Sequence, residues 1–598
     1  MRPFPDTFPV PRRVTQRPGQ YTLAERPEIL VAGDYAMTVP ASRYLEKSLR
    51  ATIRRSAAPG PVYFRIADCS APEQSYRMRI APGGIVAQAH DSAGLFYAAV
   101  TLVRIVTASE GGALPCCDIE DWPDFPTRGV MLDISRDKVP TMETLLWLID
   151  RLAEMKFNHL QLYTEHTFAY AKHSDVWKDA SPLTPAEVRA LDAHCAERCI
   201  ELAPNQNSLG HMERWLKLPQ YAHLAELPQG GAPLPWGGVW ERPTTLCPTD
   251  PRTFDFLNGL YDELLPNFTS RLFNVGCDEP FDLRGNGRSR EAIEQKGEGR
   301  VYLDFLLRLH EMTAARGFRM AFWGDIINNH PELIPEVPKD ALALEWGYEA
   351  DHPFDAHGAR FAAAGIPFWV CPGTSSWNSL GGRTGNMFAN ILSAAENGLK
   401  HRAAGLLVCD WGDGGHWHPL GLSFPGFTVA AGLSWCLETN RAAPWHEISD
   451  IHLTGGMGAE ISALGKMYLL TGALHANSTE LYHIFTKPMT RPVAQGVTVE
   501  ALEDSLKVLA YIEESIPGTG SILELETQYA FSMMHTAIAK GLLLLGDETR
   551  CDPDLLRDLR IAMDALIERF PDIWRLRNRE GGMLDSLARM TRIRDGMK

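Results

Sequence analysis

The sequence predicts a (β/α)8 barrel, with a small α/β domain before it and a helical domain after it. Eight short apolar runs alternate with amphipathic segments between residues 129 and 409, which fits eight strand–helix units. No Gly-x-Gly-x-x-Gly motif follows the first run, as it would in the alternative, an open doubly wound sheet. At 598 residues the chain is also long enough to need several domains.

The small α/β domain is expected over residues 1–124. Residues 76–80 alternate between polar and apolar side chains like a half-buried strand, and residues 85–89 return after a glycine turn. Asp91 and Ser92 then cap a helix whose apolar residues recur at a spacing of three and four. Sheet and helix form a packing unit, and none of these residues suggests chemistry.

The barrel is expected over residues 125–440. Its predicted strands are residues 129–135, 159–163, 200–205, 272–277, 320–323, 341–346, 367–371 and 405–409. The clearest amphipathic segments between them are residues 141–156, 184–199, 301–316 and 386–400. Continuous short apolar runs of this kind are typical of parallel strands that are covered on both faces.

The last domain, residues 441–598, is expected to be helical. Apolar residues recur at helical spacing in residues 460–470, 500–515, 522–545, 554–569 and 573–593. We expect these helices to pack on the barrel or to make an oligomer contact, for example in a homodimer.

Composition and charge exclude several classes of partner. Lysine and arginine number 58 against 74 acidic residues, so the net charge of -16 argues against nucleic acid or an anionic membrane as the main partner. No apolar stretch reaches the roughly 18 residues of a membrane-spanning helix, and residues 1–23 lack the apolar core of a secretory signal. The 11 cysteines form no Cys-x-x-Cys pair, which fits a reduced, cytoplasmic protein.

Side chains that suit a sugar crowd the predicted carboxyl ends of the strands, where barrel enzymes place their catalytic residues. They are Asp133, Arg136, Thr164, Glu165, His166, Asn205, Gln206, His211, Asp278, Glu279, Trp323, Asp325, Glu345, Trp346, Tyr348, Trp377, Asn378, Asp410, Trp411 and Asp413. Sugar C–H faces pack on aromatic rings, and sugar hydroxyls need paired donors and acceptors. The alternative is that the tryptophans only pack the rim. Arg136 is expected to brace Asp133 rather than to touch substrate, and Glu345 is either a pocket acid or an inward-facing barrel residue with a basic partner.

The adjacent carboxylates Asp278 and Glu279 are the sharpest local feature. The chain curls at a strand end, so both can reach the pocket. Two carboxylates held close together cannot both ionise easily, so we expect one pKa to be raised, giving an acid that works near neutral pH. Glycoside hydrolysis needs such an acid. The alternative is an ordinary acidic loop.

These motifs resemble glycoside hydrolase family 20, the β-N-acetylhexosaminidases. The resemblance lies in residues 128–136, 157–163, 210–211 and 276–279, and residues 75–106 are similar to the family's small α/β domain. It covers roughly residues 65 to 435 and is most specific at the first and fourth strands.

The resemblance implies a retaining exo-β-N-acetylhexosaminidase that acts on terminal sugars without an enzyme nucleophile. The substrate's 2-acetamido oxygen attacks the anomeric carbon and gives an oxazolinium ion. By resemblance, Glu279 is the general acid and base, Asp278 orients the acetamido group, and His211 supports the pair. The substrate-binding residues are expected to be Arg128, His211, Trp323, Trp346, Tyr348, Trp377, Asn378, Trp411 and Asp413, with Arg128 and Asp413 on the outer hydroxyls. The mechanism requires no metal and no other cofactor, and His416 and His418 are weak evidence for one.

Two departures from the family pattern indicate a divergent member. Residues 164–168 replace the family's acidic stretch after the second strand, and the tyrosine that donates to the acetamide oxygen is missing after the seventh. Trp377 could supply an N–H in its place, and Asn378 could replace a neighbouring aspartate. The alternatives left open are a glycosidase for a different β-hexosaminide and a catalytically silent sugar-binding barrel, and the epimer preference is also open.

Overall fold

The computed structural model of the protein describes residues 7–67, 72–235, 237–546 and 553–597. Within these ranges, no helix is long and apolar enough to cross a membrane.

The N-terminal part is a seven-stranded mixed sheet with two helices packed on it. In spatial order its strands are Arg13–Thr22, Ala113–Asp121, Tyr76–Ala81, Gly84–Ala89, Val62–Ile66, Glu28–Ala32 and Thr52–Arg55. The helices are Tyr35–Leu49 and Ser92–Thr107. Asp91 caps the second helix by accepting from the Gly94 N–H at 2.8 Å, and most residues of this helix are buried because it lies between sheet and barrel.

Eight parallel strands form the barrel, as the sequence predicts. They are Thr127–Asp133, His159–Tyr163, Glu201–Ala203, Leu272–Asn274, Arg319–Trp323, Leu342–Trp346, Phe368–Cys371 and Gly405–Asp410. The first strand pairs with the eighth and with the second, and the sheet continues in sequence order on both sides. A parallel bridge between Asn205 and Asn274 joins the third strand to the fourth, so the barrel closes.

Helices fill the gaps between the strands. They are Met142–Glu154, Ser174–Trp177, Pro185–Ala196, Glu213–Leu216, Pro251–Leu264, Arg290–Lys296, Glu298–Ala314, Asp325–Asn329, Phe354–Ala364, Thr384–Lys400 and Phe424–Trp435. The helix that begins at Pro185 has a capping box, in which Thr184 and Glu187 satisfy each other's backbone N–H groups. Alternate strand residues point into the barrel, where Met131, Leu344 and Leu407 belong to one buried cluster.

The C-terminal region is helical. Its helices are Leu437–Asn440, Trp445–Ser449, Gly458–Leu464, Glu480–Thr486, Val499–Ser515, Ile522–Leu545, Pro553–Arg575 and Met583–Asp595, with a two-stranded hairpin of Leu474–His475 and Ser478–Thr479. The prediction of separate helices over 554–569 and 573–593 has the wrong boundary between them. The first continues to Arg575, and the break falls at Gly582, whose φ of +78° ends the turn before the last helix.

The last helix packs against the mouth of the chain's own barrel. The Ser586 hydroxyl donates to the Gly415 carbonyl at 2.6 Å, and the Trp417 indole N–H donates to the Ser586 carbonyl at 3.1 Å. Arg589 of the last helix binds the buried Asp137 carboxylate, which also binds Arg214 from the loop after the third strand. The C-terminal region therefore holds loops that follow the first, third and eighth strands.

Candidate active site

Asp278 and Glu279 lie just past the fourth barrel strand, where the chain curls into the pocket. Gly276, Cys277 and Glu279 all have positive φ, between 46° and 72°, so the two carboxylates do not alternate as they would on a strand. A Cβ on Gly276 would lie 2.5 Å from the Asn207 amide oxygen, which explains the glycine. The curl brings both carboxylates to one side, as the sequence predicts.

His211 joins the two carboxylates. Its Nε2 lies 3.2 Å from Asp278 Oδ2 and 3.4 Å from Glu279 Oε2. Gly210 permits this approach, because a Cβ there would lie 2.4 Å from the Asp278 carbonyl oxygen. Burial lowers the pKa of His211, but the Asp278 charge and the close contacts with both carboxylates outweigh it and hold the pKa well above 6.5. His211 is therefore a cation at neutral pH.

Asp278 is held in its ionised form. Burial raises its pKa, but His211 and the Asn207 amide, which donates to Oδ1 at 2.9 Å, together bring the pKa below its usual value. Asp278 is therefore not the member of the pair whose pKa is raised. The two donors on the carboxylate decide its state, rather than its neighbour.

Asp325 is the carboxyl of this cluster whose surroundings favour the neutral acid. Its Oδ2 accepts from the Glu279 backbone N–H at 3.4 Å, and its Oδ1 has no hydrogen-bond partner among the described residues. Burial raises the pKa of Asp325 well above its usual value, and the charges of Asp278 and Glu279 raise it further.

Arg136 lies at the centre of the pocket wall. Its guanidinium contacts Asp133 Oδ2 and Glu165 Oε1, each at 3.1 Å, and its third nitrogen lies 3.3 Å from His211 Nδ1. The Tyr163 ring packs on the guanidinium at 4.7 Å. The bracing of Asp133 was expected, but the direct contact with His211 also makes Arg136 part of the site.

The expectation that Arg128 binds substrate is wrong. Arg128 lies at the amino end of the first barrel strand, opposite the pocket, and is only 1% exposed. Its guanidinium donates to the carbonyls of Lys156 and Phe125, each at 2.9 Å, and to the Tyr97 hydroxyl, also at 2.9 Å. Arg128 therefore joins the barrel floor to the N-terminal domain.

Five aromatic residues from the fifth to eighth strands form one wall of the pocket. Trp323 and Trp411 lie 5.9 Å apart between ring centres, Trp346 stacks on Tyr348 at 5.2 Å, and Tyr348 meets the Trp377 ring edge-on at 5.1 Å. They belong to the cluster that fills the upper barrel. The wall combines flat apolar faces with a few N–H and O–H groups.

The Trp377 indole N–H and the Tyr348 hydroxyl, both in this wall, differ in what they offer a ligand. The Trp377 N–H is already taken, because it donates to Asn477 Oδ1 at 2.8 Å, so it does not replace the missing tyrosine as we expected. The Tyr348 hydroxyl accepts from the Trp411 N–H at 2.7 Å and has no acceptor of its own among the described residues. Tyr348 therefore offers a free hydroxyl donor, and the buried indole N–H groups of Trp323 and Trp346 in the same wall also lack a hydrogen-bond partner among the described residues.

Asn378 and Asp413 follow the seventh and eighth strands, next to Trp377 and Trp411 of the aromatic wall. The Asn378 side-chain oxygen is buried with no hydrogen-bond partner among the described residues. Burial raises the pKa of Asp413 to about 6, where the charges of Arg136 and His211 lower it and those of Asp133 and Glu279 raise it.

Glu345 points out of the barrel rather than into the pocket. Its Oε1 lies 2.9 Å from His352 Nε2 and 2.6 Å from His357 Nδ1, and Asn328 donates to its other oxygen. The expected basic partners are therefore present, but the expectation that Glu345 faces into the barrel is wrong, because Leu344 and Trp346 on either side of it take the inward positions. This trio and the His211–Asp278–Glu279 trio are the two groups of described residues close enough to share a metal ion, and the histidines of both already contact carboxylate oxygens.

Two residues that contact the site were missed in the sequence. Asn207 follows two other amide residues at the end of the third strand, and that run was a usable signal. Asn477 comes from the C-terminal hairpin, a hundred residues from Trp377, and no local pattern marks it.

His166 is buried, and its pKa is lowered to about 3 by burial and then by Arg214 and Lys217.

A (β/α)8 barrel with paired carboxylates and a tryptophan wall at its strand ends belongs to the class of carbohydrate-active barrels. The chain is a member of glycosyl hydrolase family 20. The family model for "Glycosyl hydrolase family 20, domain 2" matches residues 5–122, and the model for its catalytic domain matches residues 125–377.

Individual relatives are distant. A beta-hexosaminidase of Akkermansia muciniphila is 26% identical over 277 residues, which cover 42% of this chain and 55% of the relative. A beta-hexosaminidase of Porphyromonas gingivalis is 23% identical, with 54% and 45% covered. The chain thus spans about half the length of these curated relatives. The Flavobacterium johnsoniae chitobiase structure shares the fold, with a TM-score of 0.61 at 16% identity and 98% of each chain covered.

Proposed function

We propose that the protein is a retaining exo-β-N-acetylhexosaminidase that releases terminal β-linked N-acetylglucosamine or N-acetylgalactosamine. The observation that carries this proposal is an ionised Asp278 beside Glu279, both in contact with His211 under a tryptophan wall. A fixed negative charge stabilises a positive charge that develops next to it. Family membership and the names of the relatives agree with this activity.

The reaction would use the substrate's own acetamido group. Its carbonyl oxygen attacks the anomeric carbon while Glu279 donates a proton to the leaving oxygen, which gives an oxazolinium ion. Glu279 then takes a proton from water as the water attacks the same carbon, and the acetamide is restored. Asp278 holds the acetamido N–H and balances the charge on the ion.

The remaining groups would bind the sugar. Arg136 and Asp413 lie on the pocket wall and rim, and we assign the outer hydroxyls to them, with Arg136 in the place first given to Arg128. The Tyr348 hydroxyl has a free donor and would bind the acetamide oxygen. Trp323, Trp346 and Trp411 would pack on the ring and the acetamide methyl.

The proposal is tested with nitrophenyl β-glycosides of N-acetylglucosamine, N-acetylgalactosamine, glucosamine, glucose and galactose. We expect turnover only of the two N-acetyl sugars, and a ratio between them that gives the epimer preference. Glu279→Gln should lose turnover steeply on poor leaving groups and much less on good ones, because only the former need a proton.

Two outcomes would contradict the proposal. Turnover of sugars without a 2-acetamido group would exclude substrate assistance and make Glu165 the next candidate nucleophile, since Glu345 points away from the pocket. Binding without turnover across the panel would favour the silent sugar-binding barrel.

We also propose a cytoplasmic location. All nine cysteines that the structure describes are free and eight are buried, which suits a reducing compartment. Fractionation of the native host tests this, and recovery outside the cytoplasm would contradict it.

A further inference from the structure

We propose that Trp240 is the platform for the sugar on the leaving-group side, which would make a β-linked hexosamine oligosaccharide the substrate. This inference rests on the proposed function. Trp240 is 40% exposed and its neighbour Val239 is 58% exposed, although both lie in a loop that is otherwise tied closely to the catalytic residues.

Trp240 lies on a hairpin in the long loop after the third barrel strand. Ala232–Pro233 pairs with Val239–Trp240, and the Gly231 N–H donates to the Trp240 carbonyl at 2.7 Å. Gly230, at a φ of +69°, lets the two strands meet, since a Cβ there would lie 2.0 Å from the Glu241 carbonyl oxygen. The backbone at Trp240 is therefore fixed.

The hairpin is tied to the segment that follows Glu279. Its first strand packs on the short helix Phe281–Arg284. The backbone N–H groups of Thr244 and Thr245 both donate to Asp282 Oδ2 at 3.0 Å, and Asp282 is fully buried. The base of the loop thus cannot move far without moving the residue that we assign as the acid.

The same loop is tied to the segment that follows His211. The Met212 N–H donates to the Thr244 carbonyl at 2.8 Å. Glu213 accepts the Trp240 indole N–H at 3.1 Å on one oxygen and Arg242 at 2.9 Å on the other. Because its N–H is used in this way, the indole is held in one orientation while part of its surface stays open to solvent.

The chemistry fixes which part of a substrate would meet this ring. The general acid gives its proton to the oxygen of the leaving group, so the leaving group lies on the side of Glu279. The hairpin belongs to the loop after the third strand and is bonded to the segments that follow His211 and Glu279, whereas Asp413 and the tryptophan wall follow the fifth to eighth strands. We therefore assign the leaving-group side to the hairpin. An exposed indole face suits the apolar C–H face of a pyranose.

The test compares two substrates that differ only in the leaving group: N-acetylglucosaminyl β-fluoride and N,N'-diacetylchitobiose. The fluoride has no second sugar to reach Trp240. Trp240→Ala should raise the KM for the disaccharide about tenfold more than that for the fluoride, and Trp240→Phe should restore most of the loss. Tyr511→Ala removes a more exposed aromatic ring, 76% exposed on a C-terminal helix, and is the matched control that should change neither.

Calorimetry of the chitin trisaccharide and of free N-acetylglucosamine, with Glu279→Gln to prevent hydrolysis, supplies a readout that does not depend on turnover. Trp240→Ala should weaken binding of the trisaccharide but not of the monosaccharide. Equal losses on both ligands, or on both substrates, would mean that Trp240 only supports the loop of His211, and would overturn the subsite. A native protein that hydrolyses neither substrate would refute the proposed function, and calorimetry would then decide on Trp240 alone.

Discussion

Replacing Asp278 by asparagine should remove most of the catalysis while leaving the fold and the shape of the pocket unchanged. The carboxylate is ionised in the native protein and has His211 Nε2 at 3.2 Å. A unit charge about 4 Å from a developing positive charge contributes about 4 kcal/mol at an effective dielectric constant of 20. Since about 1.4 kcal/mol is a factor of ten, we expect kcat to fall about 1000-fold.

The assay is steady-state kinetics on nitrophenyl N-acetyl-β-glucosaminide, with thermal unfolding as the control for folding. Asn207 is already donating to Oδ1, so an asparagine at 278 must turn its amide oxygen toward it, which keeps that hydrogen bond. A loss of kcat below tenfold, or an effect confined to KM, would refute the reasoning. Removal of a charge that acts only on the oxazolinium ion lowers kcat and kcat/KM together.

Three further predictions test single side chains. Tyr348→Phe should lower kcat/KM for N-acetyl sugars about 100-fold, by loss of one aligned donor, and similar kinetics in the variant would contradict the assignment. Asp413 has a pKa of about 6, so kcat/KM should fall as the pH drops through 6 and its carboxylate becomes neutral, and Asp413→Asn should remove that step from the profile. Because burial raises the pKa of Asp413 in the folded protein, the neutral carboxyl stabilises the fold at low pH, and this contribution is lost as the pH rises through 6. Asp413→Asn is neutral at every pH, so the variant should melt at a higher temperature than the native protein at pH 7 but not at pH 4. Arg128→Ala should lower the free energy of unfolding by about 3 kcal/mol, since it leaves buried acceptors such as the Lys156 carbonyl unpaired, while a change in KM instead would revive its substrate role.

Strand positions could be predicted because buried parallel strands read as continuous apolar runs. The second strand, His159–Tyr163, has the predicted bounds, whereas the first begins at Thr127, two residues early. The difference arises because Arg128 is a buried charge, which an apolar pattern cannot include. The third and fourth strands end early, at Ala203 and Asn274. Pro204 and two polar residues follow the third strand, and positive φ angles at Gly276 and Cys277 begin the curl after the fourth.

The direction of the first strand also explains the error at Arg128. The carboxyl end of a barrel strand faces the pocket, so a residue at the amino end of the same strand cannot reach it. Arg136 lies three residues past the end of that strand and is the arginine that the topology favours. Alternation likewise assigns Glu345, because Trp346 next to it belongs to the pocket wall.

The side chains that come from the C-terminal region could not be predicted in this way. Asn477 meets Trp377 because the hairpin of residues 474–479 lies over the rim, and that placement depends on how whole helices pack. Amphipathic spacing predicts which face of a helix is buried, but not which surface covers it.

The ionisation states of the acidic side chains in the pocket depend on how few cations it holds. Acidic side chains outnumber the two cations, Arg136 and His211, and each cation contacts at least two of them. Arg136 is shared by Asp133 and Glu165, so His211 is the cation in contact with Asp278, and with the Asn207 amide it favours the ionised carboxylate. Asp325 contacts neither cation, and burial together with the charges of Asp278 and Glu279 raises its pKa well above the usual value, which favours the neutral acid beside Glu279. A neutral Asp325 reduces the crowding of carboxylate charges that marked the site in the sequence. Asp278 keeps the charge that an oxazolinium ion would need, and His211 is the residue on which this arrangement depends.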